Sequence, residues 1–387
     1  MKTVAVIFGG QSTEHDVSII TALASVIKPL ELTGEYIVEP IYISKDGSWY
    51  WDDKLKEIEL YRTGEIDNFV QQAPKVHLLF DDGLIVVKSS KFAGRKQYKK
   101  IDVVFPAMHG THGEDGELMG VLEMAGVPYV GCGVTASVIA MDKVLAKQVT
   151  QSYEIPSTPW IWFEAEELSE DPSSVLRRCN TLQYPLFVKP ARLGSSIGIS
   201  RVTTKDQLLN ALEVAAHYDD KIIVEQAVKN LIEVTLPIIG NKKLTPALLE
   251  QPLVTSEDFF DFETKYIQGG KKGGKKDGVK GAQGYSNLPA DLSKDLYKKA
   301  EKLGMDVYKA VGCEGIARVD MLIDSKTKDV FFNEINPLPG SLYAHNWRAA
   351  GISNVMLVQV LIELAEERFK RKQENVTSFN TNYLKQF

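Results

Sequence analysis

Residues 188–199, reading VKPARLGSSIGI, constrain the fold more than any other stretch of this chain. Lys189 closes one apolar run, and a Gly-Ser-Ser-Ile-Gly turn leads into a second. Glycine lets backbone N–H groups come close to phosphate oxygens and serine hydroxyls add donors, so two strands joined by such a loop suit a triphosphate. The common phosphate loop is excluded, because no G-x-x-x-x-G-K-[ST] occurs and the loop opens onto a strand instead of a helix. Taken alone, the stretch is equally well a β-hairpin with a glycine turn. The rest of the chain has to decide between a turn and a lid over a nucleotide.

With 387 residues, 44% of them hydrophobic and 25% charged, a soluble globular protein of two or three domains is expected. The net charge of -6 gives no general reason to expect nucleic acid as a partner and favours small-molecule chemistry. Cys132, Cys179 and Cys313 are widely spaced, odd in number and without a CxxC pattern, which fits a reduced, cytoplasmic protein. The first apolar run, 3–8, is too short for a signal peptide and nowhere do 18 apolar residues follow one another, so neither export nor a membrane span is expected.

Strand-like runs at 4–8, 38–43 and 101–108 alternate with amphipathic stretches at 17–27 and 118–125. That alternation predicts an α/β domain with a mainly parallel sheet and ligand residues at the strand ends. A helical pattern over 133–147 carries Met141-Asp142-Lys143, and the helix-like 205–216 and strand-like 221–226 complete a small α+β unit around the Gly-Ser loop. A second boundary is expected near 229–231, followed by strands at 231–239, 317–323 and 329–334 and helices near 292–311 and 353–367. The expected domains are therefore 1–132, 133–230 and 231–370, with a polar tail at 371–387. Residues 268–284, QGGKKGGKKDGVKGAQG, cannot form a packed core and read either as a solvated linker or as a lid for anionic ligands.

Asp320, Glu334 and Asn336 form the strongest chemical constellation besides the loop. They fall on two consecutive predicted strands, IARVDMLID and DVFFNEINP. If these strands pair antiparallel, hard oxygen ligands suited to Mg2+ converge, and Arg318 lies on the same face as Asp320. The constrained turn Asn336-Pro337 with Pro339-Gly340 follows directly.

At this point the chain resembles the ATP-grasp superfamily and, within it, the D-alanine–D-alanine ligase family. The motifs GGQSTEHDVS (9–18), HGTHGEDG (109–116), MDK (141–143), VKPARLGSSIG (188–198), KY (265–266), ARVD (317–320) and NEIN-x-x-PG (333–340) occur in the family's order. The resemblance implies an α/β ATP-grasp fold, an N-terminal parallel-sheet domain followed by two α+β subdomains that clamp ATP. It also implies cofactors: ATP and Mg2+, two ions, with Mn2+ able to substitute. Lys143 and Lys189 would hold phosphates, helped by Ser195 and Ser196, with Glu225 and Val228 at the adenine end and Glu233 on the ribose. Glu14 would take the first substrate's ammonium group and connect to Ser195 and Tyr266, and His109 would lie near that substrate's carboxylate. Asp320, Glu334 and Asn336 would hold the metal, and Arg318 with the Gly340 N–H would stabilise an oxyanion. Lys265 and His345 would border the second substrate. The implied reaction joins two D-alanines through an acyl phosphate for peptidoglycan precursors, with D-alanine and ATP as partners, no nucleic acid, no membrane, and a homodimer by family precedent.

Two departures meet at the second-substrate subsite. The family commonly reads PG-x-T-S-x-S, whereas here Gly340 is followed by Ser341-Leu342-Tyr343-Ala344-His345, so His345 replaces the last Ser. The Lys/Gly-rich stretch lies in the loop that begins at Lys265-Tyr266. The alternatives are a dipeptide or depsipeptide ligase with another second substrate, such as D-lactate, and a non-catalytic nucleotide-binding sensor. The family's Glu-Lys is Glu225-Gln226 here, which weakens the base contact at Gln226.

Overall fold

The computed structural model describes residues 1–89, 96–253, 279–281, 284–376, 378, 381 and 383–387. The first apolar run becomes the strand Lys2–Gly9, whose residues from Thr3 onward are buried, as expected of a strand covered on both faces of a parallel sheet. It pairs in parallel with Tyr36–Ile43 on one side and Val103–Pro106 on the other, and Trp49–Trp51 adds an antiparallel edge. The run expected as one strand over 101–108 is two, Lys96–Ile101 and Val103–Pro106. Asp102 breaks it: its carboxylate accepts the Thr3 N–H at 2.7 Å and its own N–H donates to the Thr3 carbonyl at 3.0 Å. Lys96–Ile101 joins the antiparallel sheet of Val76–Phe80 and Leu84–Ser89, which the sequence pattern does not reveal.

The helix expected over 17–27 divides into an α-helix, His15–Ile20, and a π-helical stretch, Thr21–Ile27. The expected helix over 133–147 is also two, Val134–Met141 and Lys143–Ser152. Asp142 sits between them as an N-cap, accepting the Val144 and Leu145 N–H groups at 2.9 and 3.1 Å.

The Gly-Ser loop joins antiparallel strands Leu186–Pro190 and Ser200–Val202 in a central sheet completed by Lys221–Gln226 and Trp160–Glu164. The C-terminal sheet runs Leu244–Pro246, Leu231–Gly240, Ile316–Asp324, Val330–Asn336, with Asp320 directly opposite Glu334 and Arg318 opposite Asn336. The helix Lys143–Ser152 packs against Val330–Asn336 and presents its other side to the central sheet. The amphipathic helix Lys294–Val311, capped by Ser293 and stopped by Gly312, covers the face of the C-terminal sheet that carries Val319, Met321 and Phe332, in the same core as Ala146 of Lys143–Ser152.

The last helix, Asn354–Gln373, extends past the point where a frayed tail was expected to begin. Arg368 explains this: it is buried, its guanidinium donates to the carbonyls of Tyr129 (2.7 Å) and Gly131, and it stands 4.4 Å over the Tyr129 ring. Among the described residues no single helix is long and apolar enough to cross a membrane. The pair Gly340–Ala349 and Asn354–Gln373 reaches that length only across a bend of 118°, and its Leu342, Trp347, Leu357 and Leu361 belong to the protein core.

Candidate active site

A helix lying between two sheets organises the site. Lys143 and Lys147 are four residues apart on Lys143–Ser152 and therefore share one face. Lys143 Nζ lies 3.4 Å from Glu334 on the C-terminal sheet and donates to the Leu193 carbonyl at 2.7 Å in the Gly-Ser loop. Lys147 Nζ lies 2.6 Å from Glu225 Oε1 on the central sheet. Lys189 reaches Glu225 Oε2 and, at 3.4 Å, the Asn333 side chain. Burial opposes the charge of Lys189, but Glu225 and then Glu334 raise its pKa.

Glu225 is 3% exposed. Burial works to neutralise it, yet Lys147 and Lys189 together bring its pKa down to about 2. An unfolded glutamate titrates near ~4.3, so the shift contributes about 3 kcal/mol of stability, fully present at neutral pH and lost as pH falls through about 4 toward 2. Urea midpoints followed from pH 6 to 3 should therefore decline more steeply for the wild type than for Glu225→Gln; parallel curves would contradict this role.

On the C-terminal hairpin Arg318 grips Asp320 with two donors, Nε to Oδ1 at 2.8 Å and Nη2 to Oδ2 at 2.6 Å. Burial lifts Asp320 to a pKa of about 6; Arg318 pulls it down without cancelling the rise, and Glu334 adds to it. Glu334 stays below the usual carboxylate range because Lys143, Lys189 and Arg318 outweigh its burial. Asn336 uses its side-chain oxygen to accept the Leu338 N–H at 3.0 Å, fixing the turn. Two carboxylates and an amide oxygen on paired strands make an oxygen-only donor set that fits a hard divalent cation.

A second cluster meets this one from the N-terminal domain. Ser195, in the left-handed conformation (φ 53°), donates its hydroxyl to Glu14. A Cβ on Gly194 or Gly110 would sit 3.0 or 3.1 Å from the Glu14 carboxylate, and on Gly110 also 2.4 Å from the Ser12 hydroxyl, so the absence of side chains there gives this contact room. Burial raises the Glu14 pKa and the charge of Glu114 raises it further. His109 is 3% exposed; its Nε2 is 2.8 Å from the Thr21 hydroxyl, and its Nδ1 is 3.7 Å from Glu114 Oε1. Thr21, in the π-helical stretch, also accepts the Ser341 N–H at 2.9 Å, tying the His109 strand end to the turn after Gly340.

That turn holds Ser341, Leu342 and Tyr343 successively at φ 51°, 53° and 53°. Left-handed backbone costs about 1–2 kcal/mol for each non-glycine residue, so surrounding contacts must impose it. The ring of Tyr343 lies 5.3 Å beneath Arg318 and 4.8 Å from His345. His345 Nε2 is 2.7 Å from Glu250 Oε2, to which Asn346 also donates at 3.3 Å.

Ion pairs thus join Lys143 to Glu334 and Lys189 to Glu225, Glu334 faces Asp320 and Asn336 faces Arg318 across the hairpin, Ser195 of the loop that also holds Ser196 reaches Glu14, and Thr21 connects His109 to the turn after Gly340. Glu233, on Leu231–Gly240, adds its charge to the field at Lys189, and Val228 lies in the connection between the two sheets. Lys265, Tyr266 and most of 268–284 lie outside the described residues. Lys147, Glu114, Thr21 and Glu250 escaped sequence reasoning. Only Lys147 left a signal, its four-residue spacing from Lys143. A separate cleft of about 810 Å3 between residues 151–162, Arg178 and Leu182 contains none of these groups.

A central sheet with a Gly-Ser hairpin, facing a C-terminal sheet with paired carboxylates, defines the ATP-grasp class. Residues 3–132 match the D-ala D-ala ligase N-terminus and residues 149–363 the D-ala D-ala ligase C-terminus. The D-alanine–D-alanine ligase of Acetivibrio thermocellus is 37% identical over 95% of this chain and 96% of that protein. The structure of the D-alanine-D-alanine ligase from Coxiella burnetii superimposes with a TM-score of 0.78 at 28% identity, covering 96% of both chains. VanG D-Ala:D-Ser ligase from Enterococcus faecalis gives 0.78 at 30% identity over 94% of this chain and 99% of that one. The chain belongs to the D-alanine–D-alanine ligase family, whose members use ATP and a divalent metal.

Proposed function

We propose that this protein joins two D-alanines to D-alanyl-D-alanine in the cytoplasm, acting as a homodimer on ATP and Mg2+ for peptidoglycan precursor synthesis. The observation that supports the reading is the Ser195–Glu14 contact, by which the Gly-Ser loop meets the N-terminal domain at a carboxylate that also feels the charge of Arg318. Lys143 and Lys189 hold the phosphates as point charges on long stems, with Ser195 and Ser196 donating beside them. Glu225 and Val228 meet the adenine and Glu233 the ribose. Asp320, Glu334 and Asn336 would hold Mg2+, which when bound would supply Lewis-acid polarisation and offset charge on the transferring phosphoryl group.

Glu14 binds the ammonium of the first D-alanine, and His109 sits at its carboxylate, which attacks the γ-phosphate to give an acyl phosphate and ADP. The amine of the second D-alanine then attacks the acyl carbon. Arg318, which carries five donors and spends two on Asp320, stabilises the oxyanion with the Gly340 N–H before phosphate leaves. Lys265, Tyr266 and His345 border the second substrate. Residues 1–132, 133–230 and 231–370 serve as the three domains of this arrangement.

A second reading, another acceptor in place of the second D-alanine, is favoured by one observation: the family's serine is a histidine already paired with Glu250. ADP and phosphate release with D-alanine alone, D-alanine plus D-serine, and D-alanine plus D-lactate, with product masses, separates the two. D-alanyl-D-alanine from D-alanine alone is expected. Turnover only with a second compound moves specificity to His345, and no ADP in any mixture overturns the ligase reading.

A further inference from the structure

Lys147 is a charged side chain that none of the steps above uses. It is 1% exposed, 2.6 Å from Glu225 Oε1, 3.4 Å from the Phe332 carbonyl and 5.5 Å from the centre of the Phe332 ring. Burying an ammonium group costs several kcal/mol, and replacing a buried ion pair by well-packed apolar side chains is often neutral or stabilising. Packing alone therefore gives no reason for a lysine here.

The geometry around Glu225 supplies one. Its two oxygens are divided between two lysines, Lys147 on Oε1 and Lys189 on Oε2. Lys189 sits on the neighbouring strand opposite Ile223, and reaches Glu225 diagonally with its long stem. Once Lys189 turns to a phosphate group, Glu225 is a buried anion with Lys147 as its remaining close cation. Without Lys147 it would take up a proton or recapture Lys189. Because Lys147 and Lys143 are one helical turn apart, a single helix would then set both ends of the nucleotide.

We propose that Lys147 is a positioning residue for the nucleotide, the permanent counter-ion that keeps Glu225 anionic and aimed at the exocyclic amine of adenine while leaving Lys189 to the phosphates. This rests on the placement of adenine at Glu225 argued above. It assigns to Lys147 a selective role that reaches the ligand only through Glu225.

The test is calorimetric binding of ADP and of IDP, which has an oxygen where adenine carries its amine, in the presence of Mg2+. Wild type, Lys147→Met, Glu225→Gln and the double variant are compared. The preference for ADP over IDP is expected to fall about tenfold to hundredfold in each single variant, as for the loss of a charge-assisted hydrogen bond, and no further in the double variant. The KM for ATP should rise in Lys147→Met more than kcat falls. If Lys147→Met does not fold, Lys147→Gln, which keeps a donor without the charge, is expected to show the same loss. A preference that collapses in Glu225→Gln but stays at the wild-type level in the Lys147 variant overturns the inference and leaves the site reading intact. A preference unchanged in Glu225→Gln overturns the placement of adenine itself.

Discussion

Glu334→Gln is expected to lower ATP turnover by on the order of a thousandfold, about 4 kcal/mol of barrier, while the protein still folds. The size follows from what the carboxylate does at once. It faces Asp320 across the hairpin, it is the ion partner of Lys143 at 3.4 Å, and its charge helps to raise the pKa of Lys189. An amide of the same shape keeps the strand pairing and the packing, and the side chain is 35% exposed, so the cost to stability is small. The substitution removes one of two anionic donors for a divalent cation and leaves Lys143 without its carboxylate. Coupled ADP-release rates with a Mg2+ titration, together with a thermal melt, read both effects. Turnover within tenfold of the wild type at saturating Mg2+ would remove Glu334 from the metal site.

How much of this was legible in the sequence depended on whether the information was local. The Gly-Ser hairpin, the alternation in IARVDMLID and the NEINPLPG turn each specify their geometry within a few residues, and from them Asp320, Glu334 and Arg318 could be placed on one surface. The pairing of Lys147 with Glu225 could not be read that way, because it requires two elements 78 residues apart to close on each other around a helix. Glu250 is harder still: its partners His345 and Asn346 lie 95 and 96 residues away, and nothing around it marks it as an ion-pair member. Three left-handed residues without a glycine, Ser341 to Tyr343, defeat any propensity rule, since the Thr21 hydroxyl and the Arg318–Tyr343 stack impose what the local sequence disfavours. Conflict between local preference and structure at the end of the strand that carries Glu334 and Asn336, the proposed metal ligands, is where a functional constraint is expected.

Arg318→Met should damage both stability and chemistry, by separable routes. The guanidinium is buried, grips both oxygens of Asp320 and lies over Tyr343. Removing one partner of a buried ion pair typically costs about 3–5 kcal/mol because a charge is left uncompensated. Asp320 has a way to reduce that cost. Its pKa is already lifted to about 6 with Arg318 present, so without the arginine it rises further and the carboxyl becomes neutral at pH 7. A neutral carboxyl is a poor metal ligand, and in the proposed mechanism the oxyanion would lose its donor, an effect worth about a hundredfold to a thousandfold in other enzymes. Arg318→Lys discriminates between the routes: one ammonium restores a positive charge beside Asp320 but cannot reproduce the two-pronged contact or reach outward at the same time. The lysine variant is therefore expected to recover most of the melting temperature and little of the turnover. Recovery of both would reduce Arg318 to a counter-ion for Asp320, and recovery of neither would show that the planar fork is required for the fold as well as for the reaction.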